Sequence, residues 1–408
     1  MKPEWQTKSL GDLCKIELGK TPSRGDASFW DEKRGTGNVW LSIADLLKTN
    51  DGNVIDSKEY LSDKGAGICK IVPKGTLLVS FKLTLGRLAF AGRDLFTNEA
   101  IAALTIVNER ELKKEFLSYC LTFFDWVKAA ENDVKLKGMT LNKAKLKLMP
   151  VSFPPPAEQQ RIVTLLDEAF DGIATAKANA EKNLQNARAI FESHLQAVFM
   201  QGGTDWHKTK LKDLTSKIGS GATPRGGEES YKSEGISLVR SLNVHDFGFK
   251  YRKLVYLDDA QAKELSNVKL QSQDVLLNIT GASVARCCIV PENVLPARVN
   301  QHVSIIRPLA DKLDAEFLHF LLISKTYKDK LLQTGSEGGS TRQAITKAQI
   351  QDFVIKYPTK VAEQKAIVVK LNTMLAEIQH LESIYQHKLQ ALDDLKKSLL
   401  HQVFSGQI

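Results

Sequence analysis

The sequence predicts a mixed α/β (α+β) fold: two globular domains separated by two long helices that pack on each other as a coiled coil, with an internal pseudo-twofold repeat. Three observations predict it. The 408-residue chain is written twice, at a spacing of 201 to 205 residues. Each copy begins with about 150 residues of short β-rich runs broken by turn residues. Each ends in roughly 40 residues whose apolar side chains recur at steps of three and four.

The repeat can be followed motif by motif. Trp5 is answered by Trp206, and Leu10-Gly-Asp12-Leu13 by Leu211-Lys-Asp213-Leu214. Gly19-Lys-Thr21-Pro22 returns as Gly221-Ala-Thr223-Pro224, each with an arginine close behind, Arg24 and Arg225. Gly75–Ser80 and Asp274–Ile279 read as strands. Asn98-Glu99 is matched by Asn300-Gln301, Phe116-Leu117 by Phe317-Leu318, and Leu146–Pro154 by Ile350–Pro358. Both helices open on Ala-Glu-Gln (157–159 and 362–364) and close alike, on Ser193–Phe199 and Ser398–Phe404. Copies of this size are domains, not the short units of a solenoid. The expected boundaries are 1–153 and 204–357 for the globular domains, 154–203 and 358–408 for the helical parts.

The helical stripes run through Ile162, Leu166, Ile173, Leu184 and Leu195 in the first copy. In the second they run through Ile367, Leu371, Ile378, Leu381, Leu392, Leu395 and Leu399. Such spacing over about five heptads is a coiled-coil pattern. Pro154–Pro156 and Pro358 exclude helix upstream, and Gly202-Gly203 and Gly406 stop it downstream. The competing arrangement lays each helix on its own domain, but 40 residues span about 60 Å, more than one such domain covers.

Composition excludes several classes. No run approaches the roughly 20 apolar residues of a membrane span, and MKPEWQTKSL lacks a signal core, so a cytoplasmic protein is expected. The five cysteines form no C-x2-C pair and no His pairing suits a metal, so reduced thiols and no metal site are expected. Gly19-Lys20-Thr21 resembles the end of a phosphate-binding loop, but Cys14 stands where that loop needs its first glycine. The second copy has Ala222 in place of Lys20, so the shared object is a Gly/Thr/Pro turn and not a nucleotide site.

Charge points elsewhere. The chain carries +9, while 157–200 carries −2 and 362–404 is neutral, so the positive excess lies wholly in the globular parts and their linkers. Two basic domains on a rigid spacer suit a long polyanion contacted at two places. Within them, basic and amide residues sit in loops rich in Gly, Ser and Thr. The candidates for DNA contact are Lys20, Thr21, Arg24, Lys82, Arg87, Lys137, Thr140 and Asn142 in the first copy. In the second they are Thr223, Arg225, Arg240, Arg286, Thr341, Arg342 and Gln343. Arginine and amides can pair bidentately with base edges, and Lys and Thr suit phosphates.

These motifs, in this order and twice over, resemble the DNA-specificity subunit of type I restriction–modification systems, across essentially the whole chain. The carriers are the W-x4-L-x-D-L opening with G-x-T-P, the Asn-Glu/Asn-Gln pair, the Ala-Glu-Gln helix start and the L-x3-F helix end (Leu195–Phe199, Leu400–Phe404). The resemblance implies two target-recognition domains, each reading half of a split double-stranded DNA site, and an antiparallel helical spacer that fixes the gap. It implies no catalytic centre and no cofactor bound by this chain. Two methyltransferase subunits carrying S-adenosylmethionine and two restriction–translocase subunits using ATP and Mg would be its partners. The divergent middles, 38–59 against 236–257, imply unlike half-sites. Two rivals stand beside this reading. A fused methyltransferase would need a [DN]-P-P-[YF] motif, and the sole Pro-Pro run is followed by Ala157. A coiled-coil scaffold without sequence-specific DNA binding would leave the paired basic domains unexplained.

Overall fold

A computed structural model describes residues 5–49, 52–130, 134–135, 138–336 and 344–406. The chain divides into two compact units: residues 1–179 with 389–408, and residues 180–388.

The first unit is built on a five-stranded sheet. Cys14–Leu18 pairs with Ile101–Ile106, which pairs with Leu77–Ser80, followed by Leu88–Ala91 and Asn53–Val54. Leu77–Ser80 is buried along its whole length, as its unbroken apolar run requires. A second sheet joins Glu59–Leu61, Asn38–Leu41 and Phe96–Thr97, the last two in parallel. Gln6–Ser9 and Pro150–Phe153 form an antiparallel pair beside the helix.

The second unit repeats this plan. Its larger sheet runs Thr215–Ser220, Val303–Pro308, Val275–Asn278, Cys287–Ile289. Its smaller sheet runs Val255–Leu257, Ile236–Val239, Ala297–Val299, again with one parallel pairing. His207–Lys210 pairs with Val354–Tyr357. The divergent middles thus form the same sheet but connect differently: the first unit adds the strand Asn53–Val54, the second the hairpin Val244–His245/Gly248–Phe249.

The two long helices are Pro156–Gln201 and Val361–Phe404. The first begins on a proline, tolerated where the backbone N–H has no helical partner, and gives way to Gly202 at φ +57°. The second is followed by Gly406 at φ +74°.

In the first unit, the start of one helix and the end of the other share a core: Ile162, Val163 and Leu166 lie with Leu400 and Val403. Lys177 pairs with Asp393 at 2.7 Å. Numbers rise along one helix as they fall along its neighbour, so the packing is antiparallel. In the second unit Phe191, Leu195 and Phe199 share a core with Val368, Leu371 and Ile378, and Arg188 pairs with Glu382.

The predicted stripe needs correction in places. The large buried side chains gather where a helix meets a globular domain, so the ends lie on domain cores as well as on each other, while at mid-helix the small Ala180 is as deeply covered. Leu184, Ile367, Leu392 and Leu399 are only half-buried, and Val368 and Leu400 take the inner positions beside Ile367 and Leu399. Leu381 and Leu395 are exposed, at 40% and 47%.

Each helix end is clasped by an aromatic trio. Trp5, Phe116 and Phe404 meet with centroids 5.7 to 6.2 Å apart. Trp206, Phe317 and Phe199 do so at 5.4 to 6.2 Å. The helix starts are latched by the glutamine of Ala-Glu-Gln. Buried Gln159 donates to the carbonyls of Glu111 and Pro154, each at 2.8 Å, and accepts from the Lys113 N–H at 2.9 Å. Gln364 makes the same three bonds, to Lys312, Pro358 and Asp314.

Candidate nucleic-acid interface

In each unit four loops that are distant in sequence converge at one end of the larger sheet. The Gly-x-Thr-Pro turn comes first. Gly19 lies so close to residues 97–98 that a Cβ would sit 2.1 Å from the Thr97 carbonyl oxygen, and at Gly221 it would sit 1.7 Å from that of Val299. Only glycine allows that approach. Two residues on, the Thr21 hydroxyl hydrogen-bonds the Glu99 carboxylate, and the Thr223 hydroxyl bonds the Gln301 amide oxygen. The two most specific motifs of the repeat are therefore two halves of one contact.

The Asn of the Asn-Glu and Asn-Gln pairs fixes the turn. Asn98 Oδ1 accepts from the Ala100 N–H at 3.0 Å, and Asn300 Oδ1 from the His302 N–H at 3.1 Å. Their own N–H groups reach Leu41 and Val239, each at 3.0 Å, which ties the turn to the smaller sheet. The third loop follows the central strand: Phe81 N–H donates to Ala100 O, and Ile279 N–H to His302 O, each at 3.0 Å. The fourth precedes a short helix, with Leu141 N–H on Phe81 O at 2.9 Å and Ile345 N–H on Ile279 O at 2.8 Å. The backbone frame is the same in both units.

The side chains on this frame differ. Lys82 corresponds to Thr280, Glu99 to Gln301 and Ala100 to His302. His302 Nδ1 lies 2.6 Å from the Thr280 hydroxyl, a polar contact that nothing in the sequence singled out. Burial pushes the Glu99 carboxyl up, but the Thr21 hydroxyl and the charges of Lys82 and Arg24 outweigh it and hold it below the ordinary carboxylate range.

The expected contact residues fall as follows. Lys20 is exposed on the first turn. Arg24 pairs with Glu59 and stacks on Trp30 and Trp40. Lys82 and Thr140 are backbone partners between the third and fourth loops. Asn142 caps the helix Lys143–Lys147, accepting from the Lys145 N–H at 2.9 Å. Arg87 is turned inward, donating to the Ile43 carbonyl at 3.3 Å. In the second unit Arg225 is exposed and Arg286 half-buried in the third loop, neither side chain with a polar partner among the described residues. Arg240 departs from expectation. Its side chain is only 13% exposed, and it donates to the Lys253 carbonyl at 2.8 Å and to Glu228 at 3.3 Å, so it braces a loop. Lys137, Thr341, Arg342 and Gln343 lie outside the described residues.

Among the described residues no group of three or more His, Cys, Asp or Glu side chains could hold a metal ion. No helix among them is long and apolar enough to cross a membrane.

The model of the type I restriction modification DNA specificity domain matches the chain twice, over residues 2–185 and 203–387. The chain belongs to this family. It is a DNA-specificity subunit of a type I restriction–modification system, the non-catalytic component of such an enzyme. Curated members of the family are similar along much of their length. The MjaIX specificity subunit of Methanocaldococcus jannaschii is 23% identical, over 71% of this chain and 69% of its own. The EcoBI specificity subunit of Escherichia coli is 21% identical, over 92% and 81%. Among solved structures, a chain from work on complex assembly and conformational transition of the type I R-M system superposes with a TM-score of 0.74 at 18% identity, covering 98% of both chains. The HsdS subunit of Thermoanaerobacter tengcongensis gives 0.58 at 17%, over 100% and 98%. At these identities the structures speak for the specificity-subunit fold.

Proposed function

We propose that this specificity subunit reads a split, asymmetric double-stranded DNA site, one half through residues 1–153 and the other through 204–357. One observation carries the reading: the two units present loops held by matching backbone bonds but bearing different side chains. A shared frame suits what the half-sites have in common, the sugar–phosphate backbone. The unlike side chains suit the bases in which they differ. Lys20, Thr21, Arg24, Lys82, Lys137, Thr140 and Asn142 contact the first half. Thr223, Arg225, Arg286, Thr341, Arg342 and Gln343 contact the second, while Arg87 and Arg240 act from behind the surface.

The helices 154–203 and 358–408 act as a ruler between the half-sites, a role their 46 and 44 residues support. Two methyltransferase subunits, using S-adenosylmethionine, and two restriction–translocase subunits, using ATP and Mg, dock on the chain in the cytoplasm. The chain supplies none of that chemistry.

The test is adenine methylation mapped genome-wide in cells carrying this chain with its cognate methyltransferase subunit, against cells lacking the chain. A new motif of two short blocks with an unread gap is expected. A stable complex that methylates no such motif would overturn the reading.

A further inference from the structure

We infer that Arg24 reads a guanine in the first half-site and that Glu59 is its positioning residue. The inference rests on the reading above and adds which kind of contact Arg24 makes.

The loop holding Arg24 is tied down at nearly every residue. Gly19 is pressed onto residues 97–98, and Lys20 N–H donates to Thr97 O at 2.8 Å. Trp40, buried, donates its indole N–H to the Lys20 carbonyl at 3.0 Å. Trp30 donates to the Ser23 carbonyl at 3.1 Å. These two indoles meet edge to face at 5.1 Å, and the guanidinium lies 4.3 Å from one ring and 4.9 Å from the other. Glu59, on the strand Glu59–Leu61, completes the clamp with both carboxylate oxygens on both terminal nitrogens of Arg24.

A guanidinium has five N–H donors and Glu59 takes two. The Arg24 side chain remains 55% exposed. It is a long side chain held in one orientation with donors to spare, the arrangement that lets arginine recognise guanine O6 and N7 together.

The surroundings favour a base over a phosphate. The cavity of about 290 Å³ beside Arg24 is lined also by Asp31, Glu32 and Glu59, with Lys58 as its one other cation, so carboxylates outnumber cations there. Carboxylates repel a phosphate but accept from the amino groups of bases. Glu59 also belongs to the stretch in which the two copies diverge. In the second unit Arg225, at the matching place, has no polar side-chain partner among the described residues, and the arginine that meets a carboxylate and a ring there, Arg240 with Glu228 and Tyr231, is largely buried.

The experiment uses the full chain in complex with its methyltransferase subunit, on duplexes carrying the mapped site with each position of both half-sites varied in turn. In R24K the charge stays and the fork is lost. In E59Q the fork stays and its restraint is loosened. Both should lower the preference for guanine at one position of the first half-site by about tenfold or more, and leave every position of the second unchanged. E59D should restore part of it. A general loss of folding would weaken both half-sites together. If E59Q does not fold, the exposed R24K carries the test alone. A folded variant with unchanged strictness, or loss spread evenly over both halves, overturns the inference. Absence of any split motif with the unaltered chain would instead overturn the functional reading on which it rests.

Discussion

The ring of Phe404 meets the ring of Trp5 edge-on, with centroids 6.2 Å apart, although some 400 residues of chain lie between them. Phe404 also stacks on Phe123 at 5.4 Å, and Leu400 and Val403 of the same helix end are buried in the first unit's core. Phe404→Ala should therefore cost the first unit about 2 kcal/mol, less than a fully buried phenylalanine because the ring is half-buried. Limited proteolysis during mild heating should show the first unit cut earlier than in the unaltered protein, with the second unit's cutting unchanged.

Gln159→Leu and Gln364→Leu keep shape but strand one buried carbonyl, one part-buried carbonyl and one N–H in each unit. Each substitution should cost about 3 kcal/mol or more. Urea unfolding of the single and double variants should show nearly additive losses, since the two latches lie in separate units.

Gly221→Ala places a methyl group 1.7 Å from the Val299 carbonyl, so the turn must lift away and break the Thr223–Gln301 bond. DNA affinity should fall at least tenfold, and methylation should lose strictness at the second half-site first. Fluorescence anisotropy on a duplex carrying the mapped site measures the former.

Arg225→Ala removes an exposed side chain without a polar partner among the described residues. Stability should stay within about 0.5 kcal/mol of the unaltered protein. Binding should weaken, and if the contact is to a phosphate the slope of log affinity against log salt should shrink by about one. A change in melting temperature matching the loss of binding would contradict this.

Burial pushes the Cys14 and Cys288 thiols up to about 12 and the Cys287 thiol well above its ordinary value. A thiol reacts through its thiolate, so at pH 8 these three should resist alkylation until denaturant is added. Mass spectrometry after timed labelling should find Cys69, which is part-exposed, modified before them.

The repeat, the two long helices and the strands Leu77–Ser80 and Val275–Asn278 were legible because each is a local pattern of spacing or apolar run. The partnership of Thr21 with Glu99 and of Thr223 with Gln301 was not, since a hydrogen bond between distant residues leaves no periodicity. One signal was present: both pairs are 78 residues apart, although other spacings between the copies drift. Gln159 and Gln364 read as polar helix starts, because their burial is set by carbonyls some 50 residues away. Arg240 read as a surface arginine for the same reason. The stripe residues Leu381 and Leu395 had the right spacing, but spacing cannot say how deeply a neighbouring helix covers a side chain, and both stay exposed although Glu382 and Asp393 beside them reach the other helix.

The first unit takes its last helical segment from residues 389–408. On the ribosome, residues 5–153 therefore emerge long before the side chains that finish their core, and must wait while all of the second unit is made. The second unit is continuous in sequence and can close as soon as Lys388 is clear. Synthesis order and structural order thus run opposite ways, and a nascent chain interrupted late would carry a finished second unit and an open first one.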